Sequence, residues 1–264
     1  MYNSLQLGKR FLRYYFTALN SKGHGMHSPF VFDFILRVLN NKAGYQPPKA
    51  IEMQRQLLLS DQTVLPVIDL GAGSRRPSSQ KTVSRLARTA LKPKKYGQLL
   101  FRLASHYQPG TIIELGTSLG ITTCYLAAGS PGAVVHTIEG NPSISSHAAN
   151  VFSACGSTNI QQHTGNFDDL LPAILQNLSA VDLAYVDGNH LYAPTMAYFN
   201  QLLLKSNENT ILVFDDIHWS AEMEQAWKEI QDHPAVRTTV DIFFLGFVFF
   251  RTGFREKQRF SVRF

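Results

Sequence analysis

Residues 111–139 read TIIELGTSLGITTCYLAAGSPGAVVHTIE, and their order decides the fold. Thr111 to Leu115 is a short β-branched run suited to a buried strand. Gly116, Ser118 and Gly120 follow, so the next turn is built from small residues. Ile121 to Ala128 repeats apolar residues at helical spacing, and Gly129-Ser130-Pro131-Gly132 stops that helix. Ala133 to Ile138 is a second β-rich run, and it ends on an acid, Glu139. The stretch is one strand–helix–strand unit with a Gly-rich turn at its first strand end.

That order has a physical use. Small residues at a strand end let backbone N–H groups approach a ligand, and the helix N-terminus adds partial positive charge. An acid at the second strand end can accept both hydroxyls of a ribose. Glu114 and Glu139 lie 25 residues apart, the length of one such unit. The turn from Gly116 is G-x-S-x-G and not the dinucleotide fingerprint. A carboxylate at Glu114 repels a pyrophosphate and suits a cationic or amino-bearing ligand. Alone, G-x-S-x-G also fits any tight βα turn or a serine-hydrolase nucleophile elbow.

Taken with the two acids, E-x-G-x-S-x-G followed by an acid at the next strand end resembles motifs I and II of class I S-adenosylmethionine-dependent methyltransferases. In that family the first acid helps hold the methionine part and the second holds the ribose. The resemblance covers roughly residues 95–252. It implies S-adenosylmethionine as cofactor, held by Glu114, Gly116, Ser118, Gly120 and Glu139.

The chain continues as an alternating α/β protein. Asn141-Pro142 starts a helix through Phe152, and Asn159 to His163 is a third strand ending in Gly165-Asn166-Phe167. The resemblance puts that strand end beside the adenine, with Asn166 on the base and Phe167 packed near it. An N-cap at Asn166 or Asp168 is the alternative, and both can hold together. Val181 to Val186 is a fourth strand ending Asp187-Gly188-Asn189-His190, with a helix after it. Thr210 to Phe214 is a fifth, ending Asp215-Asp216-Ile217-His218-Trp219, with a helix from Ala221 to Ile230. Val236 to Thr252 reads as two buried strands joined near Leu245-Gly246. The expected fold is α/β: a doubly wound Rossmann-like methyltransferase sheet, mostly parallel with the last strand antiparallel, after an N-terminal helical extension. The expected division is a helical extension and loop over 1–94 and the cofactor-binding domain over 95–264.

Asp187 and Asp215 are 28 residues apart, one strand-to-strand crossover, so their carboxylates can converge at the mouth of the site. Asp216 adds a third. Three carboxylates together repel unless a cation or protons intervene. All-oxygen ligation favours Mg²⁺, Ca²⁺ or Mn²⁺. This set is similar to that of the catechol and caffeoyl-coenzyme-A type O-methyltransferases, where an Asp after strand four, an Asp after strand five and the adjacent residue hold a divalent ion. The adjacent residue there is typically Asn; here it is Asp216, which adds charge. VDGNHLYA and FDDIHWS resemble more closely a broad bacterial branch of that superfamily, mostly of unknown substrate. The implied reaction is metal-assisted O-methylation of a small hydroxylated molecule, with Mg²⁺ or Ca²⁺ at Asp187, Asp215 and Asp216.

His190 lies three residues after Asp187, where catechol-type enzymes carry a catalytic Lys, and is the candidate general base. His218 is the second candidate. Either His can instead ligate the metal or serve as a hydrogen-bonded residue at a helix start. The competing view has Asp187 supporting the methionine amino group and Asp215-Asp216 capping the following helix. Two other functions stay open: a metal-independent methyltransferase acting on nitrogen or nucleic acid, and a non-catalytic scaffold.

Outside this core the sequence says less. Its 264 residues are 44% hydrophobic, enough for one α/β domain plus an extension. The net charge of +6 comes largely from residues 75–102 and the last fourteen, without a recognised nucleic-acid motif. A small-molecule acceptor is therefore expected as partner, and nucleic acid is not. The two cysteines suggest neither a disulfide framework nor a metal knuckle. No run approaches the ~18 apolar residues of a membrane span, and Lys9, Arg10 and Arg13 interrupt any signal-like core. The expected location is the cytoplasm.

Leu5 to Leu19 is an amphipathic, aromatic helix able to pair with a second copy or to cover the core. Further helices are expected from Phe30 to Leu39 and, after Pro47-Pro48, through Leu59. His24 and His27 suit a metal at i, i+3 or, more simply, a turn. Val67 to Ser74, VIDLGAGS, imitates motif I, yet a basic Ser-rich segment follows it and no second strand ending in an acid. Residues 61–80 are therefore expected to be a loop, with Arg75 and Arg76 able to contact an anion. Tyr96 to Tyr107 is expected to be an amphipathic helix.

Overall fold

The computed structural model describes residues 1–20, 28–41, 43–67, 79–252 and 256–264. His24, His27, Asp69 to Ser74, Arg75 and Arg76 lie outside the described residues. The chain forms two compact units, one of residues 41–173 and one of residues 1–40 with 174–264.

The second of these begins with α1 (Ser4–Thr17). Asn3 and Gln6 exchange side-chain-to-backbone hydrogen bonds across its first turn, a capping box. Helix α2 (Pro29–Phe34) opens on proline, whose fixed φ suits a first turn. The single helix expected over 30–39 instead changes pitch, and Ile35–Leu39 winds as a π turn. The Asn40 N–H reaches back five residues to Ile35 O, and the wider turn leaves Ile35, Val38 and Leu39 all buried.

The unit of residues 41–173 follows. Helix α3 (Lys49–Ser60) leads to β1 (Val64–Val67), and β2 (Ser79–Thr82) pairs with β1 antiparallel. The ends of the expected loop are thus a two-stranded ribbon. Its physical reason is alternation: Leu65 and Val67 turn inward against a cluster that includes Ile51, Ile144 and Phe152, while Val64 is exposed. Because β1 and β2 form their own small sheet, the imitation of motif I does not begin from a strand of the parallel sheet.

Helices α4 (Val83–Ala90) and α5 (Lys94–Tyr107) come next. Then β3 (Thr111–Leu115), α6 (Ile121–Gly129), β4 (Val134–Glu139), α7 (Pro142–Ala154), β5 (Ile160–Thr164) and the start of α8 (Phe167–Gln176) alternate as expected. β3, β4 and β5 are parallel neighbours in that order, with Glu114 opposite Thr137 and Glu139 opposite Thr164. Ile112, Ile113 and Leu115 are fully buried, each side chain contributing about 1.5–3 kcal/mol.

The other unit resumes with β6 (Leu183–Val186), α9 (Tyr192–Leu203), β7 (Ile211–Asp215), α10 (Ala221–Asp232), β8 (Thr238–Asp241), β9 (Leu245–Phe249) and β10 (Gln258–Ser261). Their order is β10-β8-β9-β7-β6. β6 and β7 are parallel, β10 is parallel to β8, and β9 runs antiparallel to both β7 and β8. The carboxyl ends of β6, β7, β8 and β10 therefore share one edge. The alternation in both units is that of a doubly wound, mostly parallel α/β sheet with one antiparallel strand.

Two details depart from the sequence reading. The β8–β9 turn is Ile242 to Phe244, and Leu245-Gly246 lies inside β9. The turn uses no glycine: Phe243 adopts φ 72°, with its N–H on Asp241 Oδ1. Gly246 serves packing, since a Cβ there would lie 2.6 Å from the Trp227 ring. The basic tail adds the edge strand β10, and Leu19 N–H donates to Ser261 O beside it. Among the described residues no helix is long and apolar enough to cross a membrane.

Candidate active site

The Gly-rich turn after β3 is knitted to the end of β4 by backbone hydrogen bonds. Gly116 N–H and Thr117 N–H both donate to Ile138 O, at 3.0 and 3.2 Å. Gly116, Ser118 and Gly120 have φ of 102°, 48° and 82°. Gly120 is constrained twice, because a Cβ there would also meet Phe152 at 2.6 Å. Ser118 carries a side chain in the left-handed region, a cost the surrounding bonds sustain.

Glu139 is the keystone of this turn. Its Oε2 accepts from Ser118 N–H at 2.8 Å and its Oε1 from Asn141 N–H at 2.9 Å. Burial raises its pKa, and the N–H groups of Asn141, Ser118 and Gly140 pull it back. The carboxylate still has acceptor capacity for a ligand hydroxyl.

Glu114 is fully buried. Its Oε2 accepts from Thr123 Oγ1 at 2.5 Å and Thr137 Oγ1 at 2.6 Å, while Oε1 has no hydrogen-bond partner. Burial pushes its carboxyl up to about 7, against the two threonines and with the charge of Glu139. A buried acceptor left empty costs about 1–3 kcal/mol unless a ligand donor meets it. Sequence reasoning missed Thr123 and Thr137. Thr137 was legible, because it pairs with Glu114 across β3 and β4 and so faces the same side.

At the β5 end, Gly165 N–H donates to Glu139 O at 2.9 Å. Asn166 Oδ1 accepts from Asp168 N–H at 3.3 Å, and Asn166 O accepts from Leu170 N–H, so Asn166 opens α8 as the capping alternative required. Asn166 is exposed and Phe167 half-buried.

In the other unit, Asp187 and Asp215 meet on a residue the sequence reading passed over. The Tyr185 hydroxyl lies 2.7 Å from Asp215 Oδ2 and 3.1 Å from Asp187 Oδ2. Its signal was the period of a strand: Tyr185 and Asp187, two residues apart, face the same way. Burial and the two carboxylates push the Tyr185 pKa well up, so it remains a neutral donor. Its one hydrogen is thus shared between two carboxylates.

His190 Nε2 lies 3.5 Å from Asp187 Oδ1 and 3.9 Å from Asp216 Oδ2, so His190 stands between those two acids. Asn189 and Asp216 both have positive φ, 50° and 53°, so two strand-end loops are bent to bring this cluster together. Asp215 is buried, and its Oδ1 accepts from Asp216 N–H at 2.8 Å. Both Asp215 oxygens thus face protein donors. Among the described residues no group of three or more His, Cys, Asp or Glu side chains is disposed to hold a metal ion.

His218 has a different setting. Nδ1 is 3.2 Å from Glu224 Oε1 and Nε2 is 2.8 Å from Asp241 Oδ2. Burial would lower its pKa, but hydrogen bonds and charge from Asp241 and Glu224 raise it overall. With both nitrogens held by carboxylates, it can accept a proton from a substrate only if one contact breaks.

Residues 113–217 match a family model described as a methyltransferase domain. A catechol O-methyltransferase from Niastella koreensis is 30% identical over 125 residues, which are 46% of this chain and 55% of that protein. The chain thus spans about half the length of that curated relative. Among solved structures, the Bacillus cereus O-methyltransferase in complex with SAH superposes with TM-score 0.59 at 18% identity, over 77% of this chain and 92% of that one. The SAH-bound methyltransferase of Podospora anserina gives TM-score 0.60 at 12% identity, over 95% and 97%. Identities this low carry the fold alone. The similarity to a methyltransferase domain thus runs from β3 to just past the end of β7, and the folds it superposes on are those of methyltransferases.

Proposed function

We propose that this protein transfers a methyl group from S-adenosylmethionine to a hydroxyl of a small molecule. The observation that carries the reading is the buried Glu114 carboxylate, one oxygen satisfied twice and the other without a partner. Beside a turn of small residues, such an acceptor fits the ammonium of an amino-acid moiety. Glu139 would take the ribose hydroxyls on its remaining lone pairs, while Asn166 and Phe167 would flank the base. When bound, the cofactor supplies a methyl group on a positively charged sulfur.

The relative named for catechol O-methylation supports a hydroxyl acceptor. The β6 and β7 ends support the proton chemistry that this requires. His190 Nε2 would receive the acceptor's proton, and Asp187 and Asp216, 3.5 and 3.9 Å away, would stabilise the resulting imidazolium. Tyr185 holds Asp187 and Asp215 together. His218 is read as structural, its two nitrogens engaged by Glu224 and Asp241.

A divalent ion at Asp187, Asp215 and Asp216 is the second reading. It is favoured by the single hydrogen that Tyr185 offers two carboxylates. The acids as arranged do not form a cage, so no step is assigned to an ion.

Calorimetric titration of S-adenosylmethionine, with and without Mg²⁺ or Ca²⁺ after chelator treatment, tests both readings. Micromolar binding lost in Glu139→Ala is expected. A separate ion heat, abolished by Asp215→Asn, would select the second reading; absence of cofactor binding would sink the first.

A further inference from the structure

A cavity of about 480 Å³ lies outside the cofactor-binding turn. α1 lines it with Lys9, Arg10, Arg13, Tyr14 and Thr17; the strand ends and α10 contribute His218, Glu224, Asp241, Phe243 and Ser261. Asp241 and Ser261 are the last residues of β8 and β10, and His218 lies just after β7. The cavity therefore opens at the carboxyl edge of this unit's strands, the edge where α/β folds take their ligands.

Its charges are not equivalent. Glu224 accepts from Arg10 Nε at 3.0 Å, Arg10 Nη2 at 3.2 Å and the Tyr2 hydroxyl at 2.8 Å, and it also faces His218. Asp241 faces His218 and accepts from Phe243 N–H at 2.7 Å. Both acids, Arg10 and His218 are thus engaged with one another. Arg10 is further held over the Tyr2 ring, 3.7 Å from its centroid. Lys9 and Arg13 remain, one helical turn apart on α1, exposed, and without an ion-pair partner among the described residues. The cavity wall also includes the rings of Tyr14 and Phe243, centroids 5.3 Å apart.

We infer that this cavity binds a small molecule bearing an oxyanion, a carboxylate or a phosphate, with the anion between Lys9 and Arg13 and its apolar body toward Tyr14 and Phe243. The volume lies in the range of small-ligand sites, about 300–1,000 Å³. A cationic ligand is disfavoured, because both lining acids already face protein donors, Glu224 those of Arg10, Tyr2 and His218 and Asp241 those of His218 and Phe243. The inference does not depend on methyl transfer.

The test is calorimetric titration of the full chain with benzoate, with benzamide as its uncharged counterpart, and with inorganic phosphate. Benzoate is expected to bind at least tenfold tighter than benzamide. The Lys9→Gln/Arg13→Gln double variant should erase that preference, while Arg85→Gln/Arg88→Gln on α4 removes the same charge and should keep it. S-adenosylhomocysteine binding, measured in parallel, should be equal in all three proteins. Phosphate binding that follows the same pattern also supports the site and marks the anion as phosphate. Equal binding of benzoate and benzamide without phosphate binding, no binding of either anion, or a preference surviving in the Lys9/Arg13 variant would overturn the inference. Loss of homocysteine-cofactor binding in every protein would count against the proposed function and leave this result intact.

Discussion

The strand ends of β3 and β4 and those of β6 and β7 both carry acids, but hold them by different means. Glu139 is fixed by the N–H groups of Ser118 and Asn141, which neither titrate nor rotate away. Asp187 and Asp215 share one Tyr185 hydroxyl, with His190 3.5 Å from Asp187 and Asp216 N–H on the other oxygen of Asp215. A carboxylate set by backbone donors keeps its geometry when protons come and go, which suits recognition of a constant ligand. A pair of carboxylates around one movable hydrogen, next to an imidazole, suits the transfer of a proton. What they share is bent backbone: Ser118, Asn189 and Asp216 all sit at φ near 50°.

The largest expected effect tests whether the two edges divide the labour. His190→Ala should lower methyl transfer about 10²–10⁴-fold, the usual contribution of a positioned acid–base group. Single-turnover rates measure that loss, and S-adenosylhomocysteine affinity should stay within twofold. A parallel loss of cofactor affinity would merge the two edges into one function.

Glu139→Ala should do the reverse. Losing the acceptor for two ligand hydroxyls, at about 1.5–3 kcal/mol for each charged hydrogen bond, weakens cofactor binding by roughly 10²-fold or more. The variant also strands the N–H groups of Ser118 and Asn141, at about 1–3 kcal/mol of stability. Urea unfolding checks the second figure. If cofactor affinity survives while stability drops, Glu139 is a brace of the turn and not a ligand.

The unequal legibility of these edges has a physical basis. Glu114, Gly116, Ser118, Gly120 and Glu139 are placed by a tight turn and by strand ends, which local spacing encodes. Strands β3 to β7 and the helices between them were readable for the same reason: period 2 alternating with period 3.6. The chemistry of Asp187 and Asp215 depends on Tyr185, whose hydroxyl reaches 30 residues along the chain to Asp215. His218 looked like Asp187's neighbour in kind, yet Asp241, 23 residues on, takes its second nitrogen. Gly246 mimicked a turn because nothing local announces that Trp227 lies on it. Tail strand β10 escaped notice because its partner β8 orders it.

The smallest effect asks whether Glu114 binds the cofactor in its ionised form. Burial pushes its carboxyl up to about 7, opposed by Thr123 and Thr137 and reinforced by the charge of Glu139. A raised acid binds its proton more tightly in the folded chain than in the unfolded one. Its ionisation therefore costs the free protein stability as pH rises from the ordinary carboxylate range, roughly 4–4.5, to about 7. A ligand ammonium on the empty Oε1 reverses the preference, because it needs the carboxylate. Below pH 7 binding must first remove a proton, so cofactor affinity should fall about five- to tenfold between pH 7.5 and pH 6. In Glu114→Gln the affinity should be lower throughout and its slope near pH 7 much reduced, leaving the shallower contribution of Glu139, whose pKa burial also raises. Titration of S-adenosylhomocysteine at several pH values reads both slopes. Equal slopes in the two proteins would assign the dependence to Glu139 and reduce Glu114 to a buried anchor for Thr123 and Thr137.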